Sequence, residues 1–146
     1  MKYDNKIEGR YLAEITLEVL KHLEQEKYQL AEYRLSIYGK SRSEWDKLAQ
    51  WIKQFDIKSP NVVWLIQIPR LYNVYKKLGI VYSFGEMLNN IFMPIFQASL
   101  EPEKHAILSE FLEQCVGFDT VDDESVREKV VSLTNYKEVT PEKWRV

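Results

Sequence analysis

The stretch NVVWLIQIPR, residues 61–70, decides the reading of this chain. It is almost continuously apolar and rich in β-branched residues, the pattern of a parallel strand buried on both faces. Pro69 ends it, so a strand is expected over 61–69. Upstream, Trp45, Leu48, Ala49, Ile52 and Phe55 fall on one stripe of a helix over 42–55. Ser41-Arg-Ser-Glu44 before it fits a capping box. Further back the period is two: Tyr33, Leu35 and Ile37 alternate with Glu32, Arg34 and Ser36, predicting a strand over 29–38. A first helix is expected over 7–26, with Ile7, Tyr11, Leu12, Ile15, Val19, Leu20 and Leu23 on its apolar side.

Downstream of Pro69 the spacing predicts helices over 71–78, 84–99 and 103–114, then a strand over 115–120. Gly79 is placed to end the first of these helices. Ser83-Phe-Gly-Glu86 is a second capping-box pattern, and Pro94 is expected to kink or end the helix that follows. The tail, 125–146, is polar and weakly patterned, with a helix start at Thr140-Pro141-Glu142. Strands alternating with helices point to βαβ units and an α/β fold with a parallel sheet. Three strands with no repeat afterwards read as an incomplete piece of something larger.

Composition narrows the classes of function. Twenty Lys and Arg against 22 Asp and Glu leave a formal charge of −2, so no basic field points to nucleic acid or an anionic membrane. The longest apolar run, Val62–Ile66, is far short of the ~20 residues needed to span a bilayer. MKYDNKIEGR at the start lacks the apolar core of a signal peptide. One cysteine excludes an internal disulfide framework and fits the reducing cytoplasm. With only His22, His105 and Cys115, no HxH, HExxH or CxxC can be written, so a self-contained zinc enzyme is not expected.

AEYRLSIYG (31–39), VVWLIQIPRLYNVYKKLGI (62–80) and VGFDTVDDES (116–125) closely resemble the metal-dependent adenosine/AMP deaminase family, and its AMP-acting branch in particular. IEGRYLAEIT (7–16) and SEWDKLAQW (43–51) match the same family in the same order. The resemblance implies a TIM (β/α)₈ barrel, of which this chain would supply strands two to four with their helices. Such barrels take about 200 to 400 residues. It also implies hydrolysis of AMP to IMP and ammonia by zinc-activated water. The family's HxH pair, its later His ligands, its proton-handling Glu and its metal-binding Asp have no counterpart here. No catalytic or metal-ligating residue is therefore assigned within 1–146, and the chain alone is expected to be inactive. The cytidine-type deaminases, with their P-C-x-x-C zinc signature, are excluded by the single cysteine. The alternative class is a non-catalytic, deaminase-like interaction module. Either way, open sheet edges predict self-association or pairing with the remaining barrel segments.

Barrel sites lie at the carboxyl ends of strands, here Ser36–Lys40, Gln67–Tyr72 and Asp119–Glu124. Asp122, Arg70 and Asp119 are the substrate-binding candidates. The adenosine-acting branch reads DLAGDE where this chain reads DTVDDE, so its purine-facing Gly aligns with Asp122. Asp122 either lines the substrate pocket or belongs to a solvated acidic turn. Arg70 either reaches a phosphate, caps the next helix or pairs with a carboxylate. Glu32 and Arg34 read as an ion pair of the barrel interior rather than as ligands. His22 and His105 read as solvated and Cys115 as a packing residue. Trp45, Trp51 and Trp64 read as core, and Lys76-Lys77 beside Tyr72 and Tyr75 is too thin a patch for nucleic acid.

Overall fold

The computed structural model describes residues 5–125. The tail expected over 125–146 lies outside the described residues from 126 onward, as does the helix start at Thr140. Eight elements follow one another: α1 (Arg10–Gln25), β1 (Ala31–Ser36), α2 (Ser43–Gln54), β2 (Val62–Pro69), α3 (Tyr72–Lys77), α4 (Phe84–Leu100), α5 (Ala106–Leu112) and β3 (Cys115–Val121). The strands form one sheet in the order β1-β2-β3, both pairings parallel. Ala31 stands opposite Val62 and Ser36 opposite Gln67. On the other side Gln67 stands opposite Asp119, above a bulge near Trp64 and Leu65. This is the α/β arrangement that the alternation of strand and helix patterns predicts.

One face of the sheet is covered. Val62, Trp64 and Ile66 of β2 are buried in a single cluster with Trp45, Leu48, Ala49 and Ile52 of α2 and Leu108 and Phe111 of α5. Lys53 and Glu110 join α2 to α5 at 2.8 Å, and Trp45 Nε1 donates to the Ile91 carbonyl of α4 at 2.7 Å. The other face, with Val63, Leu65 and Gln67, is only half-buried. The expectation of a strand buried on both faces is therefore half met. Among the described residues no second layer lies on that side.

The first helix is turned relative to its predicted face. Ala13 and Leu20 are buried, with Leu17 and Leu23 packed beside them, whereas Tyr11 and Ile15 are 64% and 61% exposed. Leu20 and Leu23 of the predicted face do pack inward, joined by Ala13 and Leu17 rather than by Tyr11 and Ile15, and the small Ala13 lets the helix approach the core. The helix also starts later than residue 7. The Asn5 side chain accepts from the amides of Ile7 and Gly9, and Gly9 turns the chain at φ +70°. Pro94 lies inside α4, which continues to Leu100. The end of α3 has the Schellman pattern: Ile80 N–H donates to the Tyr75 carbonyl at 2.8 Å and Gly79 N–H to that of Lys76 at 3.1 Å. Gly79 at φ +68° is the residue this requires. No described helix is long and apolar enough to cross a membrane.

Candidate functional site

Polar groups gather on the half-covered sheet face and at the carboxyl ends of the three strands. Alternation puts Glu32, Arg34 and Ser36 of β1 on that face, with Gln67 of β2 and Asp119 of β3. Arg34 Nε donates to Asp119 Oδ2 at 2.8 Å, across β2. Ser36 Oγ lies 3.3 Å from Gln67 Oε1. The expected Glu32–Arg34 pair is thus replaced by Arg34–Asp119. Arg34 stands level with Leu65 and Gly117, and its long guanidinium stem reaches across β2 to the carboxylate two residues further along β3.

The Arg70 amide donates to the Val121 carbonyl at 2.9 Å, closing the β2–β3 ladder at its top. That bond brings Arg70 beside the acidic run after β3. Its Nε lies 3.6 Å from Asp122 Oδ2 and its Nη2 3.7 Å from Glu124 Oε1. Asp122 is the more enclosed partner, its side chain 29% exposed against 87% for Glu124. The turn beyond is held locally. Asp123 accepts from the Ser125 amide at 3.0 Å and hydroxyl at 2.6 Å, bonds that hold its carboxyl below the usual range. Asp119, Asp122 and Arg70 all stand at the carboxyl end, but Asp119 is engaged with Arg34 and Arg70 with the two acids.

The loop after β1 is built differently. Glu44, in the first turn of α2, accepts three successive backbone amides: Tyr38 at 2.7 Å, Gly39 at 3.0 Å and Lys40 at 3.0 Å. The expected capping box around Ser41 is not made, because the Glu44 carboxylate is spent on this loop and Ser41 Oγ bonds to Ser43 Oγ instead. The second box is made in part: Ser83 Oγ accepts from the Glu86 amide, and Glu86 reaches back to the Tyr82 amide. Gly39, at φ +75°, is pressed against α4, and its carbonyl accepts from Asn90 Nδ2 at 3.0 Å. Lys40 Nζ lies 5.2 Å from the Tyr38 ring centroid and 5.1 Å from that of Tyr75 in α3. Burial, helped by the nearby Glu44 charge and by Tyr38, pushes the Tyr75 hydroxyl up to about 12.

Reasoning from the sequence placed Lys40 at this end of the sheet without singling it out, and missed Glu44 and Asn90. The only signal was the Glu in SRSE, which suits a capping box equally well. His22 is exposed, as expected, while His105 is half-buried at the start of α5. Cys115 donates its Sγ–H to the Phe111 carbonyl at 3.5 Å, and burial pushes its thiol up to about 12, so it packs as expected. It borders an open apolar groove of about 460 Å³ between β3 and α4, with Phe92, Phe96 and Phe118 among the lining. Among the described residues, no three His, Cys, Asp or Glu side chains come together as a metal site would need.

A parallel sheet with helices on its covered face and charged groups at its strand ends is an α/β arrangement. The sequence profile of the AMP deaminase family matches residues 1–146, so the chain belongs to the AMP deaminase family. It is 59% identical over 129 residues to an AMP deaminase of Arabidopsis thaliana, covering 88% of this chain and 15% of that protein. It is 53% identical over 144 residues to a probable AMP deaminase of Oryza sativa subsp. japonica, covering 99% of this chain and 17% of the relative. For the AMP deaminase of Schizosaccharomyces pombe the figures are 57% over 129 residues, 88% and 16%. The chain therefore spans less than a fifth of the length of these relatives.

Proposed function

We propose that this chain is a sector of the catalytic barrel of an AMP deaminase, a cytoplasmic enzyme converting AMP and water to IMP and ammonia. The family match over residues 1–146 carries the reading. The sheet supports it. All three strands are parallel and in sequential order, and their helices share one face. Arg34 on β1 meets Asp119 on β3 across β2, as inward side chains of alternate strands meet in one layer of a closed barrel.

In this reading the half-covered face is the barrel interior and the carboxyl ends of the strands are the substrate side. Asp122 lines the pocket, and Arg70 holds its carboxylate in place from the end of β2. Asp119 is fixed by Arg34 beneath it. The described residues do not fit the zinc ion that the family resemblance implies, since no set of donors converges. This sector's part is accordingly to shape and orient the substrate. By itself the chain turns over no AMP.

Ammonia release and IMP formation, measured with AMP on the complete enzyme and on purified 1–146, test this. The complete enzyme is expected to be active and the isolated chain inactive. Clear turnover by the isolated chain, or stoichiometric tight zinc in it by elemental analysis, would overturn the sector reading. Self-association of the isolated chain follows as well, because β1 and β3 each pair on one side only among the described residues, and an apolar groove stands open beside β3. A clean monomer by light scattering would count against it.

A further inference from the structure

We infer that Lys40 is the cation of this sector that engages the phosphate monoester of the substrate, a specificity residue distinct from Arg70. The inference rests on the AMP deaminase reading for the identity of the ligand, but its physical case is made by the charges at the strand ends. Arg34 is committed to Asp119 at 2.8 Å, and Arg70 faces two carboxylates, Asp122 and Glu124. A guanidinium with two acids around it has little net charge to offer an anion. Arg42 donates to the Asn89 side chain at 3.0 Å and points toward α4.

Lys40 differs from all three. Its ammonium is exposed, and no carboxylate of the described residues lies within ion-pair distance of it. The nearest acid in its loop, Glu44, is bound to the backbone amides of Tyr38, Gly39 and Lys40 itself. Two tyrosine rings, one from the loop after β1 and one from the helix after β2, hold the ammonium by their π faces. Such contacts orient a cation without neutralising it and leave N–H groups free for an oxyanion. The support is rigid. The loop is fixed by Glu44, by Asn90 and by the packing of Gly39, and Tyr75 is buried. A flexible side chain is thereby held at the substrate end, so little of its freedom remains to be lost on binding.

Lys40→Met keeps the apolar stem over the two rings and removes the charge, whereas Lys40→Arg keeps the charge. In the complete enzyme, KM for AMP is expected to rise at least about tenfold in Lys40→Met, the scale of one charge-assisted hydrogen bond. The inhibition constant for inorganic phosphate should rise with it, kcat should fall by less than KM rises, and Lys40→Arg should recover most of the loss. An active Lys40→Met enzyme with unchanged KM and unchanged phosphate inhibition overturns the inference and leaves the proposed function standing. A wild-type enzyme that does not deaminate AMP refutes the proposed function instead. Calorimetric titration with inorganic phosphate then still reads Lys40: a tenfold loss of affinity in Lys40→Met supports the inference, and equal or absent affinity in both proteins overturns it. Matching circular dichroism of wild type and variant guards against misfolding, and Lys40→Gln serves as the second charge-free variant.

Discussion

The loop after β1 and the loop after β3 stand at the same end of one sheet, yet they are held by opposite means. Residues 38–40 are fastened from outside: three amides to Glu44 of α2, one carbonyl to Asn90 of α4, and a glycine wedged against Met87 and Ile91. Residues 122–125 are held chiefly by bonds among themselves and by two long ion pairs from Arg70. One side of this sheet end is therefore preorganised by the core, and the other is an acidic turn held mainly within itself. Rigid support with one compliant wall suits a site that must fix one end of a ligand and close around the other.

The comparison is broken most severely at Gly39. A Cβ there would lie 2.9 Å from Ile91 Cγ1 and 2.9 Å from Met87 Cγ, and the backbone is at φ +75°. The left-handed conformation costs a non-glycine residue about 1–2 kcal/mol, and overpacking adds a further ~1–3 kcal/mol. Gly39→Ala should therefore destabilise the chain by roughly 2–5 kcal/mol in a urea titration. A change below about 1 kcal/mol would mean that the loop yields easily and is not preorganised. The next largest effect is expected at Glu44. Glu44→Ala leaves three amides to water and removes charge-assisted bonds, for a loss of about 1.5–3 kcal/mol. Glu44→Gln can accept still, but more weakly, and should fall between. Amide exchange at Tyr38, Gly39 and Lys40 should accelerate in both variants while exchange in β2 changes little.

Much of this architecture was legible in the sequence. Residues 61–69 announce β2 because a nearly continuous apolar run rich in β-branched residues, between Asn61 and Pro69, admits few other readings, and the alternation of Tyr33, Leu35 and Ile37 marks β1. The face of α1 was legible only in part: Leu20 and Leu23 were expected inward and are, but overlapping apolar positions satisfy the same period, and only the partner surface selects Ala13 over Tyr11 and Ile15. Glu44 escaped for a related reason: a carboxylate near a helix start is read as a local cap, and nothing in the spacing says that it will reach back to the preceding loop. Arg34 was correctly placed on the polar face, but its partner, Asp119, is 85 residues away and separated by a strand. Pairings of that kind follow from the strand order and register, which local patterns do not carry.

Arg34–Asp119 should rank third in size. It is well formed at 2.8 Å but partly exposed, 53% and 32% for the two side chains. Exposed pairs are worth roughly 0.2–1 kcal/mol. A double-mutant cycle with Arg34→Met and Asp119→Asn should return a coupling in that range and decline with added salt. Coupling near zero would remove the pair from the forces that hold β1 to β3 across β2.

The smallest structural effect is expected where the functional one should appear. Asp122→Asn together with Glu124→Gln removes both charges facing Arg70 across 3.6 and 3.7 Å. Ion pairs that long and that wet contribute little, so the stability of the chain should change by less than about 0.5 kcal/mol. If the turn is only a solvated connection, nothing else should change. If Asp122 lines the substrate pocket, the complete enzyme carrying Asp122→Asn alone should lose AMP affinity by severalfold, while Glu124→Gln, whose side chain is 87% exposed, leaves it unaltered. Equal and negligible effects of the two substitutions on KM would assign the acidic turn to solvent. A loss confined to Asp122→Asn, without loss of stability, would show that the compliant wall of this sheet end is the one that meets the ligand.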